Sequence, residues 1–157
     1  MVVRALYRWI GTAAMYTALM ASSAVALTVP MADWTSESGD SSTWTDSAEA
    51  CVLHEETLPQ NFPALTDSAA ATSLAVKMQQ ALLAQKLQDV VTQPLNRGGT
   101  YAVLAAYGFT QSGVQYRAVQ LFVSDAGKLR TVTGSYSEGE ASPCVLELHD
   151  FLRNTAN

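Results

Sequence analysis

The chain has 157 residues, a formal net charge of −5 at pH 7 and 48% hydrophobic residues, which is typical of one globular domain. This acidity opposes the classes of protein that hold nucleic acid or anionic lipid through positive charge. The sequence shows no internal repeat, and its only cysteines are Cys51 and Cys144.

The first 26 residues have the layout of a secretory signal peptide. Arg4 and Arg8 precede an apolar stretch, which passes into small residues typical of a cleavage site before Leu27. We therefore expect residues 1–26 to be removed on export to a periplasmic or extracellular compartment. The alternative is an uncleaved membrane anchor over residues 9–27, which is near the lower length limit for a span and is interrupted by Gly, Thr and Ser.

Residues 27–49 are rich in Ser, Thr, Asp and Glu, and their only large anchors are Trp34 and Trp44. This composition predicts a flexible acidic leader, followed by a single domain over residues 50–157. Loss of residues 1–26 takes away two arginines and no acid, so the mature chain would carry a net charge of −7.

The two cysteines are expected to form a disulfide, because an even cysteine count in an exported protein favours pairing. A zinc site made of Cys51, Cys144, His54 and His149 is the competing interpretation. Its geometry is unfavourable, since residues 51 and 54 of a strand face opposite sides. Likewise, residues 144 and 149 of a helix lie about 140° apart around its axis. We therefore predict a disulfide and no metal site.

The domain is predicted to begin with a short strand, Cys51–Glu55. A long helix follows, from a cap at Thr66 or Asp67 to about Thr92, and Pro94 comes just after its end. The apolar side of this helix is wide, which predicts contacts with more than one neighbouring element.

Three strands separated by short turns come next and predict an antiparallel meander. The first has apolar residues on both faces, which indicates a strand inside its sheet. The third carries threonine and serine on one face, which indicates an edge or half-exposed strand. Ser142 and Pro143 then open a C-terminal helix. The three strands are Thr100–Thr110, Val114–Val123 and Lys128–Tyr136.

Together these elements predict an α+β domain. Its antiparallel sheet consists of the three-strand meander plus the short N-terminal strand, packed by one long helix and the C-terminal helix. The order helix, three strands, helix also occurs in double-stranded-RNA-binding domains. However, net acidity and the lack of a Lys/Arg cluster at the final helix oppose binding to nucleic acid.

The sequence contains no complete catalytic motif. His54 begins a stretch like the zinc-protease H-E-x-x-H, but Leu58 stands where the second histidine belongs. We predict no catalytic or cofactor-binding residues, and expect a disulfide-stapled, non-enzymatic protein that binds a partner protein or small ligand. Two alternatives stay open. One is a membrane-tethered accessory protein, with membrane contact only if its N-terminal helix is retained. The other is an enzyme that uses arginine and carboxylate groups on the sheet.

The candidate ligand or partner surface combines aromatic side chains on the three strands with two arginines. Such aromatic sets can line a cleft for an apolar ligand between sheet and helix, although more often they form core. The two arginines lie on strands joined by a turn, and would make a small anion site if they face the same side. The surface comprises Tyr101, Tyr107, Phe109, Tyr116, Arg117 and Arg130.

Overall fold

A computed structural model describes residues 27–155, which form one antiparallel sheet with a helix on each face. Its elements are β1 (Trp34–Glu37), β2 (Asp40–Asp46), β3 (Cys51–Asn61), α1 (Ser68–Ala84), β4 (Gln88–Arg97), β5 (Thr100–Gln111), β6 (Val114–Asp125), β7 (Lys128–Ser137) and α2 (Cys144–Asn154). The seven strands follow the order β1-β2-β3-β7-β6-β5-β4 across the sheet. Within residues 27–155, neither helix has the length and hydropathy of a membrane span.

Two antiparallel meanders build the sheet. The strands β1, β2 and β3 form one meander, and β4 to β7 form the other. They join where β3 pairs with β7, so these two strands lie in the middle of the sheet. The connection between the meanders contains α1, which carries the chain from β3 to the far edge strand, β4.

α1 begins as predicted but ends earlier. The side chain of Asp67 caps its first turn by accepting a backbone N–H at 2.8 Å. The helix stops at Ala84 rather than near Thr92, and the chain turns through Lys86, whose φ is +62°. The next residues form β4, where β-branched side chains favour a strand. Pro94 is tolerated there because β4 is at the edge of the sheet.

The predicted fold class is therefore wrong in its architecture. The sheet has seven strands rather than a three-strand meander plus one short strand, and both helices are short. The three predicted strands match β5, β6 and β7, but β7 is central and not an edge. Residues 34–46, predicted to be flexible leader, form the β1–β2 hairpin. The predicted signal peptide, residues 1–26, lies outside the described residues.

Each face of the sheet has its own hydrophobic core. On what we call the helix-2 face, Leu148 and Leu152 of α2 pack in one cluster with the first described residue, Leu27. On what we call the helix-1 face, Ala75 and Leu82 of α1 pack against side chains of β4, β5 and β6. The sheet is thus covered on both faces, which explains why β5 has apolar residues on both.

The predicted disulfide is present. Cys51 opens β3 and Cys144 opens α2, and the two residues are 93 positions apart with their Cα atoms separated by 6.1 Å. Both are buried in the core of the helix-2 face. The bridge ties α2 to the centre of the sheet, and such a bridge fits a small exported domain.

Candidate functional site

Three of the six predicted surface residues come together on the helix-1 face. The rings of Phe109 and Tyr116 stack with centroids 5.5 Å apart, and Tyr107 lies 6.5 Å from Phe109. The Tyr107 hydroxyl donates to Gln120 Oε1 at 3.1 Å, and burial raises the pKa of Tyr107 to about 12. Tyr101 is eight residues from Phe109 on β5, or about 27 Å away along the strand, so it does not join this aromatic group.

The two arginines face the same side of the sheet, the helix-2 face, but at opposite ends. Their positions are six residues apart along the β6–β7 pair, which is about 20 Å. Arg117 pairs with Glu138 at 2.9 Å and with Asp89 at 3.1 Å. Arg130 pairs with Glu55. The structure therefore does not gather the two arginines into the predicted anion site, and it places both on the face opposite the aromatic group.

Beside the aromatic group, two rows of mostly small side chains cross the helix-1 face of β3, β7 and β6. The strand registers place the members of each row directly opposite one another. The first row continues on β5 with Tyr107. We call these two rows the central floor: Val52, Ser135 and Ala118, then His54, Thr133 and Gln120.

α1 forms an apolar wall along this floor. The helix packs on β4 and β5, so its footprint is centred beside the floor and not over it. The Thr92 hydroxyl of β4 donates to the Ala75 carbonyl at 2.8 Å and lies 3.3 Å from Gln79 Oε1, which fixes the side of α1 that faces the sheet edge. At 100° per residue, Leu74 and Met78 project from the other side, toward the floor. Both are partly buried.

On the β2 side, a chain of hydrogen bonds borders the floor. The Thr43 hydroxyl donates to the Asp40 carboxylate at 2.9 Å, and Thr43 Oγ1 lies 2.9 Å from His54 Nδ1. Because the hydroxyl has one proton and gives it to Asp40, we assign the second bond as a donation from His54 Nδ1–H to Thr43. This order orients the imidazole. It does not activate the threonine, because a catalytic base must accept the proton of the hydroxyl.

The same border is negatively charged near neutral pH. Hydrogen bonds from Ser42 lower the pKa of Asp40 below its ordinary value. Burial lowers the pKa of His54, although the carboxylates of Glu56, Asp40 and Glu55 act in the opposite direction. An ionised carboxylate beside a neutral imidazole is the resulting state, so the border suits a neutral or cationic ligand.

The cysteines and histidines do not assemble into a metal site. Asp46 is buried beside the disulfide, with its carboxylate and the two sulfur atoms all within 4.8 Å of one another. The sulfur atoms of Cys51 and Cys144 are bonded to each other and are not thiolate ligands. The Asp46 carboxylate accepts the Cys51 backbone N–H at 2.8 Å and so shapes the β2–β3 turn. His54 and His149 lie on opposite faces of the sheet.

Sequence reasoning missed the central floor because it assigned β7 to an edge. Thr131, Thr133 and Ser135 alternate along that strand, and such a polar alternation usually indicates solvent exposure. In a central strand, the same alternation can place small polar side chains where neighbouring strands and elements cover them. Thr131 and Ser135 are indeed buried. The polar alternation is visible in the sequence, but the strand order needed to interpret it is not.

Comparisons with known proteins identify no family. No protein-family model matches the sequence, and no curated protein matches it. Among solved structures, PA94 from Pseudomonas aeruginosa, a protein of unknown function, is similar with a TM-score of 0.44 and 16% identity, over 65% of this chain and 80% of PA94. CyanoP, the PsbP of Synechocystis sp. PCC 6803, is similar with a TM-score of 0.47 and 15% identity, over 77% of this chain and 79% of CyanoP. These likenesses carry no argument about function.

Proposed function

We propose that this chain is an exported, non-enzymatic binding domain whose binding surface is the central floor. The observation that supports this is the second row of the floor, His54, Thr133 and Gln120, which is partly exposed on the middle strands of a two-sided sheet. The first row is buried and supports it from one side. Short side chains let a partner approach the sheet closely, and the rigid strands hold the surface in one shape. Central strands are also less deformable than loops, so such a surface is preorganised.

The borders of the floor indicate what it would bind. Leu74 and Met78 supply an apolar wall on one side, and the aromatic group supplies flat ring surface at one end. Asp40 and Thr43 supply a polar border on the other side, where Thr43 contacts the imidazole of His54. A few polar groups around an apolar surface are the usual composition of a ligand site. We therefore propose a largely apolar partner, either a protein segment or a small ligand, with neutral or positive polar groups.

The export part of the proposal includes cleavage before Leu27 and a periplasmic or extracellular destination. Measurement of the intact mass of the protein from its native host, with thiol alkylation before and after reduction, tests it. We expect a chain beginning at Leu27 whose two thiols react only after reduction. A full-length chain with an intact disulfide would support the membrane-tethered alternative, and a full-length chain with reactive thiols would contradict export.

The binding part can be tested with the neutral apolar dye Nile red, using the chain as processed by the native host. We expect saturable binding that is reduced several-fold by Thr133→Arg, because a charged side chain would then cross the floor. Thr57→Arg is the matched control, since Thr57 is exposed on the opposite face of neighbouring β3. Equal loss of dye binding in two folded variants, or no loss in either, would contradict the assignment of the surface.

A further inference from the structure

We propose that β4 is a dimer interface, at which it pairs antiparallel with β4 of a second copy of this chain and joins two sheets into one. This inference goes beyond the proposed function. β5 separates β4 from the central floor, which lies on β3, β7 and β6, so the two surfaces do not overlap. In such a two-fold dimer, each copy offers the same residues to the other.

The outer edge of β4 carries backbone groups that can pair with another strand. Within residues 27–155, β4 pairs only with β5. Arg97 and Thr100 flank a two-residue turn, Gly98 and Gly99, whose φ angles are both positive, so they form the hydrogen-bonded pair that closes the hairpin. Alternation along the strand then directs the backbone groups of every second residue away from β5. The outward residues are Thr92, Pro94 and Asn96.

Three exposed apolar side chains surround this edge. Val91 of β4 is 62% exposed on the helix-2 face. On the helix-1 face, Val76 and Leu83 of α1 are 52% and 51% exposed. Both lie within about 60° of Gln79 around the helix axis, and Gln79 is on the side of α1 that faces β4. Apolar surface is therefore exposed on both sides of the open edge, as expected where a partner binds.

The sequence of β4 is complementary to itself when a second copy runs in the opposite direction. With Gln93 of the two copies face to face, Val91 lies opposite the partner's Leu95, and Asp89 comes near the partner's Arg97. Opposite residues of antiparallel strands point to the same face of the sheet. The first pair therefore places apolar against apolar, and the second places acid against base.

Both charged residues are accessible to a second copy. The Asp89 side chain is 70% exposed although it pairs with Arg117. Arg97 is exposed, and its Nε donates to the Arg153 carbonyl at 3.1 Å. A parallel second copy would place like charges side by side at both ends of β4, which is destabilising. Charge complementarity therefore favours the antiparallel arrangement.

Pro94 does not prevent this pairing. In the register centred on Gln93, it lies opposite the partner's Thr92, whose N–H can donate to the Pro94 carbonyl. The missing N–H of proline removes one hydrogen bond per copy. The apolar contacts beside the strands must offset this loss.

The α1 helices of the two copies would also contact each other. α1 packs on β4 and β5, so its axis lies about half a strand spacing, or about 2.4 Å, inside β4. Adding the spacing of about 4.8 Å between the paired strands separates the two axes by about 10 Å. Packed helices lie about 8–10 Å apart. Val76 and Leu83 would therefore be buried against the partner's α1.

Sedimentation equilibrium of the chain as processed by its native host tests the inference. We expect a reversible equilibrium between monomer and dimer. Leu83→Glu should raise the dissociation constant of the dimer at least about tenfold, because each copy would then place a carboxylate in an apolar contact. Leu146→Glu is the matched control and should leave the constant unchanged, since Leu146 is 73% exposed on α2. Circular dichroism would check that both variants are folded.

A cysteine at the two-fold axis tests the register. Gln93→Cys should give a disulfide-linked dimer under mild thiol oxidation, because residues that face each other in a non-hydrogen-bonded pair have Cα atoms about 4.5 Å apart. Thr57→Cys is the control, since Thr57 is exposed on β3, and it should not give a linked dimer. Intact mass without reduction distinguishes the two results.

Two outcomes would overturn the inference. One is a monomer at every soluble concentration. The other is a dimer that Leu83→Glu does not weaken and Gln93→Cys does not link, since the copies would then meet at another surface. If Leu83→Glu impairs folding, Val91→Glu, exposed on the other face, gives the second measurement. Nile red binding at the central floor does not depend on either result.

Discussion

At the scale of single residues, Gly134 shows how close α2 approaches the sheet. A Cβ atom added at Gly134 would overlap the Leu148 side chain, which is 0% exposed. Gly134 lies on the central strand β7, opposite Leu53 of β3. Glycine is therefore needed at position 134 because α2 approaches the strand closely, and not because the backbone there has an unusual conformation. Only a residue without a side chain allows Leu148 to rest on the strand.

Gly134→Ala should lower the free energy of unfolding by about 1–3 kcal/mol, because the buried leucine must shift. Urea denaturation followed by circular dichroism gives this value. Gly108→Ala is the matched control, also in a strand, since the added Cβ would meet Arg117 and Gln88 at an ordinary contact distance of 3.6 Å. A loss of stability at Gly108 equal to that at Gly134 would argue against the α2 contact as the cause.

His54 makes stability depend on pH near neutrality. Burial lowers its pKa below the ordinary value of 6.5, so the folded chain binds this proton less readily than the unfolded chain. The contribution of His54 to stability is therefore complete above pH 6.5 and is lost as the pH falls below that value. Asp40, Glu55 and Glu56 reduce the effect without reversing it. The pKa of His149 is lowered as well, chiefly by burial, and contributes in the same direction.

His54→Gln should flatten this dependence, because an amide keeps a hydrogen-bond donor near Thr43 but does not titrate. The free energy of unfolding, measured between about pH 7.5 and 5.5, should fall less in the variant than in the wild type. His149→Gln provides the comparison on the other face. Identical slopes for the wild type and His54→Gln would show that His54 does not bear this effect.

At the scale of elements, Trp34 connects the β1–β2 hairpin to α2. Trp34 is 4% exposed, packs in the core of the helix-2 face, and donates its Nε1–H to Glu147 of α2 at 3.0 Å. Trp44 is only partly buried, and its Nε1–H donates within the hairpin to the Ser41 carbonyl. The contact of Trp34 with α2 thus attaches a polar, edge-forming hairpin to the rest of the domain.

Trp34→Ala should lower the free energy of unfolding by about 3–5 kcal/mol, as expected for loss of a buried large aromatic side chain. Trp44→Ala should cost less, since that side chain is only partly buried. Chemical denaturation gives both values, and hydrogen exchange should show faster exchange of β1 and β2 in the Trp34 variant. Equal losses at the two tryptophans would contradict the anchoring role of Trp34.

At the scale of the whole molecule, the disulfide links the two meanders through α2. Cys51 belongs to the N-terminal meander, while Cys144 begins the helix that follows the C-terminal one. The closed loop contains α1 and the strands β4 to β7. A bridge across a separation of 93 residues therefore restricts most of the unfolded domain.

Replacement of both Cys51 and Cys144 by Ala should lower the free energy of unfolding by roughly 2–5 kcal/mol. Guanidinium denaturation of the double variant gives the value, and the wild type in a strong reductant should lose a similar amount. An unchanged denaturation midpoint in both cases would show that packing of α2 maintains the stability of the domain without the bridge.

The sequence by itself determined the features that depend on neighbours along the chain. The turns around Gln111–Gly113 and Ser124–Gly127 separate β5, β6 and β7 at nearly the predicted positions. Asp67 caps α1 because an aspartate next to a helix start can satisfy a backbone N–H locally. The disulfide followed from having two cysteines in a chain that looks exported. Of the six surface residues predicted from the sequence, only Tyr107, Phe109 and Tyr116 lie together in the structure.

Only the tertiary structure decided which segments with an ambiguous local pattern become strands, and which strands lie in the middle of the sheet. Residues 88–92 continue the apolar spacing of α1 but pair with β5, and residues 34–46 form strands because β3 offers a pairing edge. The small residues of β7 became the central floor once β3 paired with that strand. A strand satisfies its backbone hydrogen bonds through a partner distant in sequence. Local propensity therefore cannot reveal that partner.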